Sequence, residues 1–295
     1  MRCSMKKQKI ILVALALISV GIAYALFAVP PVSSEVSLPT SEEAIARGAY
    51  LVSAGGCISC HRAEGEETAE TFSGGFALET DFGTFYAPNI TPDAETGIGN
   101  WTARDFLLAL KHGRSPGGGF YYPAFPYRAY AGLSDEEVLD IGAYLMSLDA
   151  VSYQAPEAET ASWLFRWTVA GWNFMADRAQ PAAETFNDEL GARGAYLANN
   201  LGHCSECHTP RNSLGILDTS RAYTGATLGE ETVEAIDAEA LAEWTINNVD
   251  LFLLIGLKPN GEFVGGDMND VIEHNTSKLT DEDRDALAAY FKRGN

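Results

Sequence analysis

Two short runs constrain this 295-residue chain more than anything else in it: Cys57-Ile58-Ser59-Cys60-His61 and Cys204-Ser205-Glu206-Cys207-His208. A CxxCH run is the signature of covalent haem attachment. Its two thiols can add to the two vinyl groups of one haem, and the histidine that follows then sits beneath the iron as its proximal ligand. Other readings of a CxxC pair fit less well. A zinc site closes four ligands at short range, whereas the whole stretch from His61 to Cys204 separates these two pairs. A thioredoxin-type redox pair belongs beside a βαβ pattern, and none is visible here. Two copies inside a sequence repeat weigh against a structural disulfide or coincidence. The chain is therefore expected to carry two covalently bound haem c groups. Cys57 and Cys60 would hold the first, with His61 on its iron; Cys204 and Cys207 would hold the second, with His208 on its iron.

The repeat extends well beyond the motifs. Arg47-Gly48-Ala49-Tyr50-Leu51 precedes the first and Arg193-Gly194-Ala195-Tyr196-Leu197 the second. Trp101 leads to Gly113 and Trp244 to Gly256 by the same step. Late in each half, Ser134 and Thr280 are N-cap candidates, each with an acid three residues on, Glu137 and Asp283. Each half thus reads as an N-terminal helix ending at a haem motif, a loop-rich middle and a C-terminal helix. Superposing the halves puts Met268 in register with Phe125. A thioether after CxxCH is what a second axial ligand looks like, so Met268 is expected opposite His208. Phenylalanine cannot ligate iron. Lys111 and His112 are the nearby alternatives in the first half, although His112 aligns with Ile255 and the repeat does not mark it as a ligand.

Acidic residues outnumber basic ones by 40 to 20, a formal charge of −20. That argues against nucleic acid and anionic headgroups as main partners, and suits a basic docking patch on another protein. Residues 1–29 read as a targeting segment. Arg2, Lys6, Lys7 and Lys9 precede an uncharged run from Ile10 to Val29, long for a signal-peptide core and sufficient for a membrane span. An uncleaved anchor helix is expected, placing the chain at the inner membrane on its periplasmic side. Cleavage near Ala23-Tyr24-Ala25 would instead give a soluble periplasmic form. Cys3 would be an idle thiol on the cytoplasmic side. Residues 30–40 form a tether, 41–150 a first domain, 151–190 an aromatic-rich linker and 191–295 a second domain. The linker, with Trp163, Phe165, Trp167 and Trp172, is expected to pack between the domains or against a partner. A carbonyl near Ala87-Pro88-Asn89-Ile90 is expected to accept the ring N–H of His61. His203 reads as a surface histidine, and Met146 and Met175 as core or linker residues.

RGAYLVSAGGCISCH, FGTFYAPNITPDAETGIGNW, the YPAFPY loop, AGWNF, HCSECHTPRN and the closing GGDM and LTDEDRDALAAY together resemble the multihaem cytochrome c subunits of membrane-bound alcohol and aldehyde dehydrogenases. The resemblance covers almost everything after residue 29. It implies a mainly α chain, with two tandem class I cytochrome c domains behind the anchor. It also implies a periplasmic electron carrier between a partner dehydrogenase and a quinone, cytochrome or oxidase acceptor, not an enzyme by itself. Three departures stand out. Family members often carry three haem domains, and this chain has two motifs. Their first-domain loop reads YPAMPY, where this chain has Phe125. The second half lacks the APNI element. Two other readings stay open: a five-coordinate first haem that binds small ligands or is catalytic, and a cytochrome subunit of a terminal oxidase.

Overall fold

Side-chain caps set where the principal helices of both halves begin. The computed structural model describes residues 2–63, 71–179, 185–186, 188–229 and 231–293, with side chains from residue 11 onward. In the first half, α2 (Glu42–Ala54) starts at Ser41, whose hydroxyl accepts the Ala44 N–H. The short α3 (Cys57–His61), which carries the first CxxCH run, follows. α4 (Ala103–His112) starts with a reciprocal Thr102–Asp105 capping box, and α6 (Asp135–Met146) with Ser134–Glu137. Between them lies the short α5 (Tyr127–Tyr130). The second half repeats the order. α8 (Glu189–Tyr196) runs into a π-helical turn at Leu197–Leu201, and the short α9 (Ser205–His208), within the second CxxCH run, follows. α10 (Ile246–Ile255) has a Thr245–Asn248 capping box, α11 (Asp267–His274) matches α5, and α12 (Asp281–Phe291) begins at Thr280. The expectation of a mainly α-helical chain holds.

Close packing of helices explains the RGAYL repeat. α2 crosses α6, and α8 crosses α12. At the first crossing a Cβ on Gly48 would lie 2.0 Å from the Asp140 carbonyl oxygen; at the second, a Cβ on Gly194 would lie 2.1 Å from that of Ala286. Only a residue without a side chain lets the backbones approach so closely. Arg47 then reaches Asp140 at 2.7 Å, and Arg193 reaches Asp283 at 2.7 Å. Val52, Phe106, Val138, Leu197, Leu201 and Leu287 belong to one buried cluster that runs through both halves.

Small β elements frame the loop-rich middles. β1 (Ala77–Thr80) and β2 (Gly83–Tyr86) form an antiparallel hairpin, to which β3 (Glu159–Thr160) adds. β4 (Ala226–Leu228) pairs with β5 (Glu231–Val233). The aromatic stretch carries β3 and α7 (Thr168–Arg178) and touches both halves. Tyr127 donates to Asn173 at 2.7 Å on one side; Trp172 donates to the Leu214 carbonyl at 2.8 Å on the other. Trp163, Phe165 and Trp167 remain more than half exposed.

The expected membrane anchor is corrected here. Among the described residues no helix is long and apolar enough to cross a membrane. α1 runs Arg2–Phe27, but its first turns carry Arg2, Lys6, Lys7 and Lys9. The far end of the helix docks on the folded body. The Phe27 ring meets Phe120 edge-on at 5.9 Å, and Arg114 donates to the Ala28 carbonyl at 3.2 Å. The placement at the inner membrane therefore falls with the anchor. The side chain of Cys3 lies outside the described residues.

Candidate functional site

The first attachment segment begins where α2 stops. Gly55 caps α2, and Gly56 takes a left-handed conformation (φ 61) that turns the chain into α3. This places Cys57, Cys60 and His61 on a single short helix. Nδ1 of His61 lies 2.8 Å from the Pro88 carbonyl. A carbonyl can only accept, so Nδ1 carries the hydrogen and Nε2 keeps a lone pair. Burial holds the imidazole below its ordinary pKa, against the pull of the Pro88 hydrogen bond, so the ring stays neutral. The His61 carbonyl accepts the Gly74 N–H at 2.8 Å.

The second segment reproduces the bonding of the histidine. Cys207 and His208 lie on α9, with Cys204 at its N-cap. His208 Nδ1 lies 2.7 Å from the Glu234 carbonyl, and the His208 carbonyl accepts the Gly225 N–H at 2.9 Å. Both ring acceptors come just after the second strand of a hairpin, Pro88 after β2 and Glu234 after β5. The first acceptor is pinned by its neighbour. Asn89 is 2 % exposed; its amide donates to the Val151 carbonyl at 2.7 Å, and its oxygen accepts the Thr91 N–H at 2.9 Å.

The donor set fits haem c. All four motif cysteines are free thiols. Burial, and secondarily Cys60, pushes Cys57 up to about 12; burial, and secondarily Cys207, pushes Cys60 to about 11; burial, and secondarily Cys207, pushes Cys204 to about 12. Neutral thiols are poor metal ligands. Among the described residues no three His, Cys, Asp or Glu side chains gather as a protein-held metal ion would need. On α3, Ser59 Oγ is buried with no hydrogen-bond partner among the described residues. Each segment thus presents two neutral thiols and a neutral imidazole with one free nitrogen, the set a covalently held haem takes.

The two loops that lead to Phe125 and Met268 match in backbone. α4 ends at Gly113 and α10 at Gly256, both left-handed. Arg114 bridges Phe120 as Leu257 bridges Phe263, and the N–H groups of Tyr121 and Val264 return to Gly113 and Gly256 at 2.8 and 2.9 Å. Four residues after Tyr121 comes Phe125 of the first half, and four residues after Val264 comes Met268 of the second. The partly buried Met268 opens α11, and its neighbour Asp267 lies close enough to Cys207 to reinforce the rise that burial imposes on that thiol. Phe125 packs among Tyr121, Tyr127 and Tyr130, with ring centroids at 5.7, 6.3 and 5.9 Å. Lys111 is ion-paired with Asp135, and His112 is half-buried beside the same two charges.

Each half also leans on the motif of the other. Arg62, just past the first motif, is ion-paired with Asp270 of α11. Tyr50 donates to Asp283, and the matching Tyr196 donates to Glu137 at 2.7 Å. His203 is not a surface residue: its Nε2 lies 3.2 Å from the Gly55 carbonyl and its ring stands edge-on to Tyr130. The Glu234 acceptor, the Asn89 anchor and the Tyr50–Asp283 pair were not anticipated from the sequence. A backbone acceptor leaves no side-chain signature; the tyrosines were visible in the repeat, but not their partners.

The family model for cytochrome c matches residues 45–149. A dihaem cytochrome c-type protein of Cereibacter sphaeroides is 41% identical over 288 residues, covering 95% of this chain and 96% of its own length. The gluconate 2-dehydrogenase cytochrome c subunit of Pantoea cypripedii is 36% identical over 84% of this chain, and the cytochrome c subunit of a quinone alcohol dehydrogenase from Gluconobacter oxydans is 34% identical over 85%. The chain spans 59% and 55% of the length of these two subunits.

Proposed function

The chain belongs to the cytochrome c family, in the group that includes dihaem cytochromes and dehydrogenase cytochrome c subunits, and on that footing we propose that it is a dihaem electron carrier accepting electrons from a partner dehydrogenase. Bound haem c supplies a reversible one-electron couple. Cys57 and Cys60 hold one haem and Cys204 and Cys207 the other, in two tandem cytochrome c domains. His61 and His208 each offer Nε2 to iron, while the Pro88 and Glu234 carbonyls fix ring orientation and raise ring basicity. Met268 completes the second site with a thioether, which favours the reduced metal. The observation that carries the reading is the duplicated unit: a CxxCH helix whose histidine Nδ1 is bound to a backbone carbonyl, present twice.

Haem content tests it. The intact protein should give two haem c per chain by pyridine haemochrome assay, and Cys57→Ala with Cys60→Ala should give one. A single haem in the intact protein would sink the reading. Co-purification tests the partner: a dehydrogenase is expected, and recovery with a haem–copper oxidase would favour the oxidase-subunit alternative.

A second reading concerns the first haem alone. Phe125 stands where Met268 stands in the other half, and Lys111 is committed to Asp135. These observations favour a five-coordinate first haem, open to a small neutral ligand on the Phe125 side. Carbon monoxide binding by half the haem is the expected result; none would remove this reading.

A further inference from the structure

His203 immediately precedes Cys204 and holds a left-handed backbone, φ 40. The residue before Cys57 is Gly56, also left-handed at φ 61. Glycine adopts this conformation freely, whereas a side chain there costs about 1 kcal/mol. The turn into the attachment helix is thus better served by glycine, and something other than the turn must account for the histidine.

The side chain supplies that account. Its Nε2 lies 3.2 Å from the carbonyl of Gly55, in the opposite half and two residues ahead of Cys57. Since a carbonyl only accepts, Nε2 carries the hydrogen and donates it. The ring stands edge-on to Tyr130 at 5.5 Å and 83°, and the Tyr130 hydroxyl donates to the same Gly55 carbonyl at 3.3 Å. Beside it Gly56 packs against Asn275 of the second half, where an added Cβ would lie 2.9 Å from Nδ2. The Arg62–Asp270 pair closes the far end of α3. The segment bearing Cys204 therefore grips the segment bearing Cys57 through one imidazole.

We propose that His203 is a positioning residue that links the two haem-attachment segments and fixes their separation, and with it the electrostatic coupling between the two redox centres. The proposal rests on the two-haem reading for its functional half, while the contact stands on geometry. Strain held at one residue for the benefit of a neighbouring site is a recognised pattern.

The test compares His203→Gly and His203→Gln in the holoprotein. Glycine relieves the backbone, so a residue serving only its own loop predicts an equally or more stable protein with unchanged redox behaviour. The proposal predicts a His203→Gly protein that keeps both haems yet shows roughly fivefold faster amide exchange across residues 55–61, the loss expected for one hydrogen bond. It also predicts altered spacing between the two midpoint potentials in a spectroelectrochemical titration. His203→Gln keeps a donor and should recover much of both readouts; it also carries the test if His203→Gly fails to fold, since a Gln variant with wild-type folding but free-running exchange at 55–61 would overturn the contact. Unchanged exchange and unchanged potentials in His203→Gly overturn the proposal. Fewer than two haems in the unmodified protein would signal a failure of the dihaem reading instead, and exchange at 55–61 would still decide the contact.

Discussion

Phe125 and Met268 occupy matching loops, and the difference between a ring and a thioether is the largest chemical asymmetry between the halves. Met268→Ala is expected to turn the second haem high-spin while both haems remain covalently attached; an unchanged optical spectrum would remove Met268 from the site. Conversely, Phe125→Met should make the first haem low-spin and abolish its carbon monoxide uptake, read from the same spectrum. Asp283 is a different kind of residue. Burial pushes its pKa up, but the hydrogen bonds from Arg193 and Tyr50 and the Arg193 charge outweigh that and hold it below the usual range. A carboxylate lowered on folding contributes stability above its unfolded pKa and loses it as pH falls through its folded value. Asp283→Asn should therefore cost about 2 kcal/mol at neutral pH. Its deficit against the unmodified protein should shrink as pH falls below about 4. Urea unfolding at several pH values reads both; a deficit that does not vary with pH would contradict the assignment.

The helices obey sequence rules at their ends and geometric rules at their crossings. Ser134 and Thr280 cap helices as the sequence predicts, and Ser41 and Thr102 do the same in the structure. Gly48 and Gly194 are visible as members of a repeat, yet their reason, a carbonyl of another helix 2.0 or 2.1 Å from an added Cβ, exists only in three dimensions. Gly48→Ala or Gly194→Ala should force the crossing apart and cost about 2–3 kcal/mol. Gly171, inside α7 with nothing within 4 Å of an added Cβ, should instead gain up to about 1 kcal/mol as alanine. Thermal unfolding of the three variants separates the effects by sign. The same contrast governs the site. Cys57, Cys60, His61, Cys204, Cys207 and His208 announce themselves by residue type and spacing. The Glu234 carbonyl does not, because any residue supplies a carbonyl. The sequence hides the role of His203 because its partner, Gly55, is 148 positions away. The N-terminal run has the length of an anchor in sequence, but its docking on Phe120 shows only in three dimensions.

At the scale of the molecule, the two repeats are not beads on a string. One apolar cluster joins them, and their tyrosines, acids and attachment segments interlock across the boundary. A shared core of this kind should unfold in a single cooperative transition; two well-separated calorimetric transitions would show instead that the halves are independent. The charge of −20 should make association with a basic redox partner weaken as salt rises. On the proposed reading, two like units each hold a haem c and differ at the sixth ligand. Optical and EPR spectra of the holoprotein, with and without carbon monoxide, test this. Two haems per chain are expected, one low-spin and inert, the other high-spin and taking up carbon monoxide. Two low-spin, inert haems would contradict the asymmetry, and a single haem would contradict the dihaem reading itself.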